Sequence, residues 1–216
     1  MLISAKYCLG LLLVGTSVVT GCSSAGTGGN PQPNPRVIPP AGTATPDVSE
    51  LYREIGLMAA PGPIAFVGKI SSFASAFPDT TLVLVSISIP NRALTFTREG
   101  DRYRAPYEVK ISLNRGDVEA ASVNAMEIVR VGSFREVNRT DESIIFQHYF
   151  HVQPGAYAVS ATVRDVGGSR GATQQAAITV PTLGTGRLST PVVIYEASGR
   201  SRLDSAPGLT VHLLRR

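Results

Sequence analysis

The chain has 216 residues, enough for one ordinary domain and a fragment of another. Its 20 Lys and Arg against 16 Asp and Glu give a formal charge of +4, spread without a long basic run, which argues against a nucleic-acid partner. Tryptophan is absent, removing the commonest stacking platform for carbohydrate.

Residues 1–21 read as a lipoprotein signal peptide. Lys6 supplies the positive start, and the run Leu9 to Val19 is apolar but too short to span a membrane. Val19-Thr20-Gly21-Cys22 then resembles a lipobox, with small residues at the cut and a thiol to accept the acyl chain. Cys22 is therefore the expected lipidation site and the expected membrane anchor. Removing residues 1–21 takes Cys8 with it, which leaves no free cysteine for a disulfide or a cysteine metal site. Ser23 after the acylated cysteine suits transport to the outer membrane of a Gram-negative cell, facing the periplasm.

Residues 22–46 are Gly, Ser, Thr and Pro with almost no apolar side chains, the composition of a disordered tether. Such a segment spans roughly 25 to 30 Å. Asp47-Val48-Ser49-Glu50 then has the spacing of a capping box, and Val48, Leu51, Tyr52, Ile55 and Met58 recur at helical intervals. A short helix is predicted, ended by Pro61-Gly62-Pro63 and lying against a sheet as a plug.

Beyond Ile64 the apolar period becomes two. Tyr103, Ala105, Tyr107, Val109, Ile111 and Leu113 alternate with Arg102, Arg104, Glu108, Lys110 and Ser112, a half-buried antiparallel strand. Pro106 on its outer face suggests a sheet edge. The strand pairs with Leu94–Thr97 through the turn Glu99-Gly100-Asp101. Leu82–Ile89, apolar on nearly every residue at its start, reads as a central strand. Further strands are predicted at Ile64–Phe73, Met126–Val131, Ile144–Val152, Tyr157–Val163 and Thr173–Val180. About eight short strands without helical interruption predict an all-β, antiparallel, immunoglobulin or fibronectin III-like sandwich over residues 47–181, with one N-terminal helix. Val152-Gln153-Pro154-Gly155-Ala156-Tyr157 resembles a tyrosine corner, in which the Tyr157 hydroxyl bonds back to the loop. Residues 182–216 are Gly-rich at first and then strand-like at Val192–Tyr195 and Leu209–Leu214. They read as a linker and the start of a truncated second β-domain.

Several segments resemble the GWxTD-domain lipoprotein family: Leu51-Tyr52-Arg53-Glu54-Ile55, Pro63 to Lys69, Leu82 through Tyr107, Val192 to Glu196 and Ser201 to Asp204. Without tryptophan the Gly-Trp-x-Thr-Asp motif itself is absent. The resemblance implies the N-terminal part of a longer architecture whose remaining activity cannot be carried over.

The candidates for chemistry are few. His148 and His151 fall on opposite faces of one predicted strand, so they cannot chelate one metal, and His148 is expected to be a hydrogen-bonded residue at the core edge. No G-x-S-x-G elbow accompanies a histidine, and no carboxylate pair suggests acid–base work. Gly167-Gly168-Ser169-Arg170-Gly171 lies between strands and reads as a hairpin loop. Arg92, Arg98, Arg102 and Arg104 form a basic hairpin face, suited to an acidic partner or to guarding a strand edge. The expectation is a non-catalytic, lipid-anchored binding or scaffolding module with a protein partner, no cofactor and no metal. The alternative is an accessory domain of a longer envelope protein or enzyme.

Overall fold

The computed structural model describes residues 48–139, 142–184, 186–199, 202 and 205–213. The chain divides into Met1–Ala44 and Thr45–Arg216, and everything described belongs to the second unit. Cys22, the tether and the proposed cap at Asp47 lie outside the described residues.

Helix α1 (Val48–Glu54) stops earlier than the sequence period implies. Gly56 takes φ +80°, and the Gly56 and Leu57 amides bond back to the carbonyls of Arg53 (3.0 Å) and Tyr52 (2.9 Å). This is a Schellman stop, which needs a left-handed residue that glycine supplies without strain. Met58 thus leaves the helix and opens strand β1 (Met58–Ala60), which pairs with β2 (Phe66–Ala74). Of the helix's apolar residues Tyr52 is buried, against Ala59 and Val67, whereas Val48, Leu51 and Ile55 stay exposed.

β3 (Thr81–Pro90) pairs with β2 on one side and with β7 (Ser143–Val152) on the other. The first sheet therefore runs β1-β2-β3-β7. The second is built from β4 (Thr97–Glu99), β5 (Arg102–Arg115), β6 (Val118–Val131), β8 (Gly155–Asp165) and β9 (Arg170–Val180). β5 is its spine: β6 lies along one side, β8 along the other, and β9 outside β8. The order β6-β5-β8-β9 is the C′-C-F-G half of an immunoglobulin-like sandwich, and β7 to β8 is its E–F crossover. The all-β sandwich expected from the alternation is the fold.

The two sheets meet on Val83, Val85, Ile87, Ile89, Phe66, Phe146 and Phe150 from one side and Tyr107, Val109, Ile111, Leu113, Val159 and Val163 from the other. The outer face of the second sheet is open to solvent, so its strands alternate cleanly in burial. The outer face of the first is covered, which is why β3 is buried on both sides.

The sheets differ from the sequence-based expectation in detail: the strand before β5 is Thr97–Glu99, not Leu94–Thr97. Pro106 is not at an edge, since β5 has neighbours on both sides. Its carbonyl accepts from Val166 N (3.2 Å), so its missing N–H faces the same side, at the gap where β4 has ended and β8 has not begun. β6 begins at Val118, eight residues before Met126, because its first half carries small and polar side chains that an edge strand tolerates. It is followed by a short helix, α2 (Phe134–Val137), which the reading missed. Ser133 and Glu136 form a capping box there: the Glu136 amide donates to Ser133 Oγ, and the Glu136 carboxylate accepts from the Ser133 hydroxyl (2.9 Å) and Gly132 N–H (3.1 Å).

Residues 182–216 read from the sequence as a linker and the start of a truncated second β-domain. Their described part instead lies on the sandwich, within the same compact unit. β10 (Ile194–Ser198) and β11 (Gly208–Val211) form a hairpin whose Val211, with Leu213 beyond it, packs on Leu84, with Phe73 and Tyr149 alongside. Tyr149 Oη donates to Pro207 O (2.8 Å), and Thr190 bonds through its amide and hydroxyl to the Ser72 backbone (2.9 and 3.1 Å).

Candidate functional site

The tyrosine corner forms as its spacing implied. Tyr157, at the start of β8, is buried and donates from Oη to Gln153 O (2.7 Å), locking the β7–β8 crossover. Arg115 stacks 5.4 Å above its ring and donates to Gln153 Oε1 (3.2 Å) and Pro154 O. The motif holds the architecture, and its groups are spent on the chain itself.

A second polar knot joins the far end of the second sheet. Asp165 is buried and accepts from Thr95 N (3.1 Å), Thr95 Oγ1 (2.6 Å) and Arg170 Nη2 (3.0 Å). Burial pushes its carboxyl up, but the three donors and the Arg170 charge outweigh burial and hold it below its ordinary value. Gly168 packs against this knot, where any Cβ would collide with the Asp165 carboxylate and the Thr95 hydroxyl. The Gly167–Gly171 stretch is thus a hairpin loop tied to the loop before β4.

The histidines fall on opposite faces of β7, as the spacing implied. His148 pairs with Val85 and points toward the core, its ring 4.7 Å from Phe150. Burial lowers its pKa. The hydrogen bond expected of it has no partner among the described residues; the ring is held by aromatic packing instead. His151 points outward. Its Nδ1 lies 3.0 Å from Ser75 Oγ, and its ring meets Phe77 edge-on at 4.7 Å. The sequence gave no sign of this Ser–His pair, because 75 residues and a strand crossover separate the two in a chain read linearly. Ser75 Oγ also accepts from Phe77 N (3.1 Å) and Thr80 Oγ1 (2.8 Å), which fits a turn staple between β2 and β3 better than a nucleophile.

The arginine face divides. Arg102 and Arg104 share the outer face with Glu99, whereas Arg98 pairs with Tyr103 on the other and bonds Gly100 O (3.0 Å). Glu99 holds both Arg104 (3.2 Å) and Arg130 (3.7 Å), one carboxylate shared between two arginines.

One concavity lies where α1 turns into β1, beside β9. A groove of about 340 Å³ runs between the α1–β1 corner (Arg53, Gly56, Leu57, Met58), Ile70 of β2, and residues 174–178 of β9. Among the described residues no group of three or more His, Cys, Asp and Glu is placed to hold a metal, and no helix is long and apolar enough to cross a membrane. Neither a protein-family model nor a curated protein matches the chain.

Proposed function

We propose that the protein is a lipid-anchored, extracytoplasmic module of the bacterial envelope that works by binding or scaffolding, not by catalysis. The observation that carries this reading is Val19-Thr20-Gly21-Cys22 behind a short apolar run, with a Gly/Pro-rich spacer before the folded part. Acylated at Cys22 and carrying Ser23, the chain sits on the outer membrane and faces the periplasm. Binding is supported by how the polar groups are used: Ser75, Tyr157 and Asp165 are each committed to holding loops. The resemblance to GWxTD-domain lipoproteins fits the same envelope setting. Expression in a Gram-negative host with labelled palmitate tests the anchor. The wild type should incorporate label and fractionate with the outer membrane, and Cys22→Ala should do neither. Undiminished labelling of Cys22→Ala would refute the anchor.

A further inference from the structure

The outer face of the second sheet carries apolar and cationic side chains in rows across its strands. Pro106 on β5 lies opposite Ile128 on β6, and Val166, just past the end of β8, donates its N–H to Pro106 O (3.2 Å) from the other side. In the next row on this face Glu108 lies between Met126 and Arg164. Met126, Ile128 and Val166 are 60%, 41% and 45% exposed. Residues opposed or one row apart on one face are neighbours, so these three and Pro106 make a single apolar patch.

Cations flank the patch along the strands. On one side Arg104 opposes Arg130, with Arg102 in the row beyond, and on the other stand Arg164 and Lys110. Two carboxylates sit among these five: Glu99, shared by Arg104 and Arg130, and Glu108, 3.7 Å from Arg164. A third, Glu119, is at the far end of β6 and accepts from Ser122 Oγ (2.6 Å). Among the described residues no carboxylate comes within ion-pair distance of Arg102 or Lys110. The surroundings of the patch therefore keep a positive surplus.

Exposed apolar side chains ringed by Arg and Lys are what a protein surface needs to settle on anionic lipid: the apolar groups enter the headgroup region and the cations meet phosphates at its level. The hollow between Glu108, Lys110, Thr162 and Arg164 holds about 170 Å³, below the ~300 Å³ of a drug-sized pocket, and offers two cations to one phosphate. Two copies face to face would set twice five cations against twice two carboxylates, which disfavours self-pairing. An acyl chain on Cys22, joined to the folded part by residues 22–46, keeps a bilayer within roughly 30 Å of it. We propose that this face is a membrane-docking surface: the sandwich lies on anionic phospholipid, with Met126, Ile128 and Val166 among the headgroups and the flanking arginines and Lys110 on lipid phosphates. Docked this way, the module turns its first sheet and the β10–β11 hairpin away from the bilayer, which sets the side from which a protein partner approaches. The proposal deepens the lipid-anchored reading above and rests on it.

The test uses the full lipidated chain, inserted by its anchor into vesicles of phosphatidylcholine alone or mixed with phosphatidylglycerol. Met126→Cys carries a nitrobenzoxadiazole dye; Cys8 leaves with residues 1–21 and Cys22 is acylated, so no other thiol competes for the label. The dye should brighten and shift to the blue only where phosphatidylglycerol is present, and salt at about 1 M should reverse the shift by screening. In that labelled chain Arg102→Ala and Lys110→Ala should each lower the docked-to-free ratio about five-fold, the effect of one cation beside an anionic surface, with the melting temperature unchanged. The same dye at Leu188→Cys, exposed near the point where Thr190 bonds β2 of the first sheet, should not respond. Equal emission in both vesicles, a shift that survives high salt, or an equal shift at Leu188→Cys would each overturn the proposal. So would a shift in phosphatidylcholine alone that grows with protein density, which would make the occupant a second copy. A chain that floats with neither vesicle sinks the anchor and this proposal with it. A chain that floats while its dye ignores phosphatidylglycerol sinks the docking face and leaves the anchor standing.

Discussion

Tyr157 and Asp165 show what single buried polar groups do in this fold. Each is buried, and each ties a loop to a strand by hydrogen bonds to the chain itself. Tyr157→Phe should keep the fold and lower stability by about 1–3 kcal/mol in denaturant unfolding, since it leaves the Gln153 carbonyl without its donor. Acid should act through two groups. His148 has a lowered pKa in the folded state, so the unfolded chain binds the proton first and stability starts to fall below about pH 6.5. Asp165 is also lowered; its stabilisation is full above the unfolded value near about 4 and is lost as pH drops through the folded one. Melting curves against pH should show both steps. His148→Phe should flatten the first, and Asp165→Asn should remove the second. A single step unchanged in both variants would mean that other groups control acid unfolding.

At the scale of the element, β5 is the best case of a strand written in the sequence. Its alternation from Tyr103 to Leu113 places Val109, Ile111 and Leu113 fully in the core, while Lys110 on the other face is exposed. Ile111→Ala should cost about 2–5 kcal/mol and Lys110→Ala should be nearly neutral. Equal losses would contradict the observed facing. The local signals that were passed over are equally physical. Gly56 ended α1 before the prolines could, because a Schellman stop needs only one left-handed residue and two returning hydrogen bonds. Ser133-Phe134-Arg135-Glu136 carried a capping box in plain view, but one turn of helix leaves no period to detect. The turn signal at Glu99-Gly100-Asp101 worked, with Gly100 at φ +61° closing the β4–β5 hairpin, and Gly116 at φ +60° closes β5–β6 in the same way.

For the whole molecule, the partition between sequence and tertiary structure follows the range of the interactions. Residues 182–216 illustrate it. Their strands were legible, but their position was not, since it rests on Val211 and Leu213 meeting Leu84 and on Tyr149 reaching Pro207. If that hairpin stabilises the sandwich, Val211→Asp in the full chain should lower the melting temperature and speed hydrogen exchange in β3. Unchanged exchange in β3 would mean the hairpin only rests on the surface. Sequence by itself determined the alternation of the main strands, the sandwich class and the tyrosine corner, because alternation, turn residues and a short motif are all encoded within about ten residues of chain. Only the tertiary structure decided that Pro106 is central, that Ser75 meets His151 and that the arginines divide. Each of these joins residues far apart in the chain. Their meeting is set by how two sheets stack and where edges stay unpaired, which no local pattern records.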